Sequence, residues 1–362
     1  MVADFFYELL LFGAELLAIV IAVVIIMMAI VTIMASGKNK KESYVKVEDL
    51  NEYYESVKDE IISNMLDKDE YKKHNKKQKK EEKLEKKEKK KDKKSSKCSK
   101  EEDDKPRLFV IRFEGDLHAS EVEPLRESIT AALTVANESD EILIILESCG
   151  GVVQNYGLGA SQLQRIKSKG VNLTVAVDLV AASGGYMMAC VANKILAAPF
   201  SVIGSVGVLA QIPNFHKILD KYDVDIEQHT AGEYKTTLTM LGENTNKARE
   251  KFKEELEDTH ELFKTFVQNN RPALNVNKIA TGEYWYGTQA LDLNLIDEVI
   301  TSDDYIMKNL DSKNIYEISH EYPETLKEKL ASILEGGIYK AVKAIIQKTL
   351  SQESNTNKKM LL

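Results

Sequence analysis

The alternation of apolar and polar positions changes texture several times along the chain, and each change marks a boundary. Residues 16–35 (LLAIVIAVVIIMMAIVTIMA) are 20 residues without a charge and with one threonine. At the rise of an α-helix, such a run matches the ~30 Å hydrocarbon layer of a bilayer. The stretch before it is acidic (Asp4, Glu8, Glu15), and Ala35-Ser36-Gly37 is a weak cleavage site. The run is therefore read as an uncleaved anchor and not as a removed leader. From Tyr44 to Leu66, acids alternate with apolar positions at near-helical spacing, which predicts a short juxtamembrane helix. Then comes KKHNKKQKKEEKLEKKEKKKDKKSSKCSK, a lysine–glutamate tract with one leucine. It cannot bury a core, so it is a solvated helix or a disordered spacer. Pro106 closes it.

Beyond Pro106 the pattern becomes that of a folded domain. Arg107–Glu114 (RLFVIRFE), Glu141–Glu147 (EILIILE) and Val171–Val177 are short aliphatic, β-branched runs that read as strands. Between the first two, Val122, Leu125, Ile129 and Leu133 recur at helical spacing within Glu121–Ala136. Helices are also predicted over Val153–Lys169, Ser183–Asn193 and the charged block Asn246–Asn269. Strands alternating with helices of this length indicate repeated βαβ units and a largely parallel sheet, an α/β fold. Val171–Ala210 is apolar enough to imitate a second span. Asp178, the Ser-Gly-Gly turn, Asn193, Lys194 and Pro199 divide it into pieces too short for one. The resulting division is 1–37 anchor, 38–105 juxtamembrane helix and linker, 106–322 folded domain, and 323–362 amphipathic helix (Leu326–Leu350) with a polar tail.

Charge sharpens this division. The chain's formal net charge of −8 hides a strong asymmetry. Residues 71–100 hold 16 lysines against 5 acids, whereas residues 106–362 hold 26 basic and 35 acidic side chains. A basic linker on an acidic domain argues against a nucleic-acid enzyme, whose basic surface belongs on the folded part. The lysine tract suits attraction to anionic headgroups or simply a soluble tether. Lys38, Lys40 and Lys41 follow the span and nothing basic precedes it, so the positive-inside bias favours a cytoplasmic C-terminal domain. The three cysteines (Cys98, Cys149, Cys190) form neither a disulfide framework nor a zinc motif. No metal or cofactor is implied.

Candidate chemistry gathers at two turns. In LTVAVDLVAASGGYMMACVAN a buried strand runs through Ala181-Ala182 into Ser183-Gly184-Gly185 and then a helix. A serine there lies beside backbone N–H groups that no helical carbonyl uses, and these can hold a developing negative charge. On this stretch alone an ordinary N-cap is the stronger reading of Ser183. Glu147-Ser148-Cys149-Gly150-Gly151-Val152 makes a second strand-end turn, able to aim an amide into the same crevice. Of the six histidines, none has an obvious catalytic setting; His74 falls in the linker and His260 on the charged helix, where both read as solvated. Lys235, in Thr230-Ala231-Gly232-Glu233-Tyr234-Lys235-Thr236, is the other candidate base. A lysine serves as a base only when its amine is neutral, and an isolated loop lysine is ordinarily a surface residue.

Taken together, VAASGGYMMACVANKI, the ES-x-GG turn, IGSVGV, AGEYKTTLTMLGENT and Tyr284-Trp285-Tyr286-Gly287 resemble the signal peptide peptidase A (SppA) family, and within it the SohB type. The resemblance covers nearly the whole chain, most weakly at the linker and the last forty or so residues. It implies a Clp/crotonase-like α/β fold and a serine endopeptidase with a Ser–Lys dyad: Ser183 as nucleophile and Lys235 as general base. It further implies oxyanion donors at the amides of Gly151 and Gly184, and Ser205 of the GSVG motif orienting the lysine amine. In that family the turn reads Ser-Pro-Gly-Gly; here Cys149 stands in the proline position, which loosens the turn but keeps both glycines. The expected partners are a peptide substrate, the inner-membrane bilayer through a single N-terminal span, and further copies of the chain, since the family forms rings in which the dyad can be completed between neighbours. Two other classes share parts of the pattern: a crotonase-type acyl-thioester enzyme, and an inactive membrane scaffold.

Overall fold

The computed structural model describes residues 44–67, 69–71 and 105–321. The apolar run 16–35, the lysine tract with His74 and Cys98, and the predicted helix 326–350 lie outside them. Among the described residues no helix is long and apolar enough to cross a membrane. The elements begin with strand β1 (Tyr44–Asp49), helix α1 (Leu50–Met65), β2 (Arg107–Gly115), α2 (Val122–Val135), β3 (Glu141–Ser148), α3 (Val153–Ser168), β4 (Asn172–Val177), β5 (Val180–Ala182) and α4 (Gly184–Ala189). There follow β6 (Lys194–Ala197), β7 (Val202–Gly204), α5 (His216–Lys221), α6 (Asn246–Asn270), α7 (Val276–Ile279), β8 (Tyr284–Tyr286), α8 (Gly287–Asp292), β9 (Glu298–Val299), α9 (Ser302–Asn309) and β10 (Asn314–Glu321). The strands form one sheet in the order β1-β10-β2-β3-β4-β6-β9, with β5 bridging β3 and β7, and β8 antiparallel to β7. The pairings from β10 through β2, β3, β4 and β6 to β9 are parallel, as the βαβ reading requires.

The side-chain period of a strand explains why these runs lack polar alternation. Successive residues point to opposite faces of the sheet, so a strand covered on both faces is apolar throughout. In β3, Ile142, Ile144 and Leu146 enter the larger core under α2, α3 and α4, together with Phe109, Ile111 and Phe113 of β2. Leu143 and Ile145 enter a smaller core on the reverse face with Leu108, Val110, Leu196 and Ile315. That second face is closed by Leu50 of α1 and by Ile300 and Ile306 at α9.

Here the structure corrects the boundary drawn at 106. The segment read as a detached juxtamembrane helix supplies both an edge strand, next to β10, and the helix that covers the sheet's reverse face. Asp49 caps α1, its carboxylate accepting from the Asn51 and Glu52 amides at 2.9 and 3.1 Å. Asn51 fastens the element from inside: its amide group donates to the Leu310 and Lys313 carbonyls (2.9 and 3.1 Å) and its oxygen accepts the Ile315 amide at 2.7 Å. Sequence periodicity could not show this, because the partners of α1 lie some 260 residues away in the chain.

Helix α4 also ends earlier than predicted. Val191 and Ala192 donate three residues back, and Asn193 turns out to exchange two hydrogen bonds with Leu173 of β4. At the opposite end of the sheet, Asp140 is almost wholly buried and accepts from the Arg107 guanidinium at 2.7 Å and from the Arg107 and Asn137 amides. Burial by itself would raise the Asp140 carboxyl's pKa; the Arg107 and backbone donors outweigh it and hold the pKa below the ordinary carboxylate value.

Two predictions follow from these ties. Asn51→Ala removes three hydrogen bonds between α1 and the β10 end of the domain, and should lower the unfolding free energy by about 1–3 kcal/mol in urea titration. An unchanged midpoint would mean α1 is not fastened to the domain. For Asp140 the sign is that of a depressed carboxylate: its stabilisation is complete above the unfolded pKa and disappears as pH falls through the lower, folded one. Asp140→Ala should therefore cost about 2–4 kcal/mol at neutral pH, and the gap from wild type should close in acid.

Candidate active site

Strands β5 and β7 are three residues each and run parallel, with Ala182 opposite Gly204. Immediately past that pair the Ser183 amide donates to the Gly204 carbonyl at 2.8 Å. The chain then reverses into α4, and Ser183 carries φ 53° and ψ −117°. A non-glycine residue held at positive φ is strained by about 1–3 kcal/mol, a conformation that surrounding structure must impose. Ser205, the residue after Gly204, has φ 53° as well, and its amide donates to the Glu283 carbonyl at 2.7 Å. The two serines thus leave neighbouring strand ends side by side.

The Gly150–Gly151 turn at the end of β3 closes on the same point. Gly150 has φ 87°, and a Cβ there would fall 2.7 Å from the Gly184 nitrogen and 2.8 Å from the Ser183 Cβ. A Cβ on Gly184 would lie 2.5 Å from the Tyr156 ring. The turn and the Ser183 loop therefore touch closely. The Gly150 amide is occupied, donating to the Ser148 hydroxyl at 3.0 Å. The Gly151 and Gly184 amides, in contrast, donate to no group among the described residues. Beside them lies a small cleft lined by Gly151, Val153, Ser183, Gly184, Met187, Val208, Thr259 and Phe263. Its apolar lining was not legible in the sequence, because Val208 and Phe263 come from distant segments.

Ser183, Gly151 and Gly184 are brought together; Ser205 borders them. Lys235 is not: it is exposed, its amide donates to Gly232, and it lines no part of the cleft at Ser183. The physical reason is that its segment lacks a core. Between 209 and 236 no residue is buried, and Leu209, Phe215, Ile218, Tyr222 and Val224 all expose large apolar surface.

The other candidate groups resolve as follows. Cys149 is exposed at the tip of the turn. Cys190 is sealed in the core, and burial pushes its thiol up to about 12, so it remains protonated. His260 departs from the solvated reading: its Nε2 is buried and lacks a hydrogen-bond partner among the described residues. No cluster of potential metal ligands occurs among the described residues.

Two family models match consecutive parts of the sequence: "Peptidase family S49 N-terminal" over residues 4–163 and "Peptidase family S49" over residues 165–315. The chain belongs to peptidase family S49. It is 56% identical over 229 residues to the "Probable protease SohB" of Haemophilus influenzae, a match covering 63% of this chain and 65% of that protein, just under two thirds of its length. Two Buchnera aphidicola relatives are matched almost end to end. One, also "Probable protease SohB", is 49% identical over 304 residues, 84% of this chain and 99% of the relative. The other, "Putative protease SohB", is 44% identical over 344 residues, 94% and 96%. These relatives make this S49 member an SppA-family serine peptidase of the SohB type. Among solved structures, a membrane-bound stomatin-specific protease, 1510-N, with a substrate peptide has a TM-score of 0.39 at 16% identity, covering 64% of this chain and 98% of that one.

For this S49 chain, the steric argument gives a direct test. Gly150→Ala puts a methyl group against backbone at positive φ, which nothing short of moving the turn relieves. The substitution should destabilise the fold by about 1–3 kcal/mol, read as a lower thermal midpoint, and abolish labelling of Ser183 by a fluorophosphonate. Full labelling would show that the two loops are not in contact.

Proposed function

We propose that the chain is a membrane-anchored serine endopeptidase of Clp/crotonase-like fold that hydrolyses small or membrane-derived peptides through a Ser183–Lys235 dyad. The observation that carries the reading is the pairing of Ser183 at a strained strand-to-helix reversal with the two unoccupied amides of Gly151 and Gly184. In this mechanism a neutral Lys235 amine takes the Ser183 proton as Oγ attacks the peptide carbonyl carbon. The Gly151 and Gly184 amides hold the resulting oxyanion, as preorganised donors in a dry cleft do. The lysinium then gives its proton to the departing amine, and water, deprotonated by the same lysine, hydrolyses the acyl-enzyme. Ser205 orients the lysine amine. The chemistry needs no metal or cofactor.

Within one chain Lys235 lies on an exposed, apolar arm, which supports a self-assembled form. Neighbouring copies would cover the arm, and the arm of one would bring Lys235 to Ser183 of the next. The 16–35 span would hold the assembly in the inner membrane, with Lys38, Lys40 and Lys41 favouring the cytoplasmic side for the domain.

Ser183→Ala and Lys235→Ala should each reduce peptide turnover by at least about a thousandfold while leaving the unfolding midpoint unchanged. Mixing the two inactive variants in equal amounts should restore part of the activity, because about a quarter of the randomly formed interfaces then join an intact serine to an intact lysine. Normal turnover by Lys235→Ala would sink the dyad. Two dead variants that do not complement would place both members of the dyad in one chain. Protease digestion of intact cells and spheroplasts reads the side on which the domain lies.

A further inference from the structure

Beneath the Gly150–Gly151 turn lies a pair of hydroxyls that the mechanism above does not use. Ser148 and Tyr156 are both fully withdrawn from solvent, and their oxygens are 2.5 Å apart. Tyr156 also faces the Asp116 carbonyl at 2.7 Å, and Ser148 the Gly115 carbonyl at 3.1 Å. Two hydroxyls own two protons, which leaves two arrangements. Either Ser148 donates to Tyr156 and Tyr156 to Asp116, or Tyr156 donates to Ser148 and Ser148 to Gly115. In both, Ser148 Oγ keeps a lone pair for the Gly150 amide, 3.0 Å away. Burial raises the Tyr156 pKa, so the phenol stays a donor.

Tyr156 works on both walls of the site. Its hydroxyl holds Ser148, and through it the turn that carries Gly151. Its ring lies under Gly184, where a Cβ would come within 2.5 Å of it. Space for the hydroxyl pair is left by Gly115, whose Cβ would fall 2.5 Å from both oxygens. The turn is tied from the other side as well, since the Val152 amide donates to the Leu117 carbonyl at 2.9 Å.

We propose that Ser148 and Tyr156 are positioning residues that brace the Gly150–Gly151 turn and set the spacing of the Gly151 and Gly184 amides. The inference rests on the peptidase reading given above. It assigns the pair no contact with substrate. Its effect is on how well the amides fit a tetrahedral oxyanion, and therefore on the transition state and not on ground-state binding.

The test uses the full-length chain in detergent micelles, a fluorogenic peptide and a peptide boronate that forms a tetrahedral adduct on the serine. Tyr156→Phe keeps the ring and removes the hydroxyl; Ser148→Ala removes the acceptor of the Gly150 amide. Each should lower kcat by about ten- to a hundredfold, with KM within about twofold of wild type. The boronate Ki should weaken by the same factor as kcat. Affinity for the product peptide should not change. Unchanged kcat in folded Tyr156→Phe overturns the proposal, and so does a fall in kcat with an unchanged boronate Ki. If Ser148→Ala loses its thermal transition, Tyr156→Phe decides alone; if that variant also loses it, the pair is structural and the proposal fails. Ser183→Ala separates the two readings. Activity retained there removes the peptidase mechanism, whereas an inactive Ser183→Ala beside a normal Tyr156→Phe removes this inference alone.

Discussion

A hydrogen bond of 2.8 Å, from the Ser183 amide to the Gly204 carbonyl, fixes where the polypeptide must turn and hence where the chemistry can occur. It is the last rung between β5 and β7, two strands too short to be stable alone. They persist because β5 is also held against β3 at Ser148–Ala181, and β7 against β8. Past that rung Ser183 is forced to positive φ. The strain is tolerated because every neighbour is already committed: Gly184 against the Tyr156 ring, and Gly150 against the Gly184 nitrogen. A serine in a relaxed conformation would put its hydroxyl elsewhere.

The rest of the fold makes that rung rigid. Strand β3 is buried on both faces, so its register with β2 and β4 cannot slip by one residue without exchanging two apolar cores. The second of those cores depends on α1, from a segment that precedes the lysine tract. The chain on the N-terminal side of that tract is part of the domain's own packing.

Much of this was legible in the sequence. The β2, β3 and β4 runs, and helices α2, α3 and α6, coincide with predicted segments to within a few residues, because continuous aliphatic runs and 3.6-residue spacing report burial directly. Ser183, Gly151 and Gly184 were picked out as residues at strand ends and do meet. What stayed hidden depends on long-range partners: β1 and β10, the two-residue β9, the buried Nε2 of His260 and the apolar wall of Val208 and Phe263. Tyr156 is instructive. Its spacing with Ala160, Leu163 and Ile166 identifies a core position, and nothing local reveals that its hydroxyl has a task. Lys235 is the opposite case, conspicuous through family resemblance and yet left in solvent by the single chain.

Gly115, Gly150 and Gly184 lend one final meaning to this architecture. None of the three offers a side-chain functional group, yet each occupies a place where one extra carbon would collide with a hydroxyl pair, the Ser183 loop or an aromatic ring. The site is thus defined as much by atoms that must be missing as by those that react. A survey of this enzyme that scored positions by chemical reactivity would pass over all three, while a scan by added volume would find the active site without knowing which serine is the nucleophile.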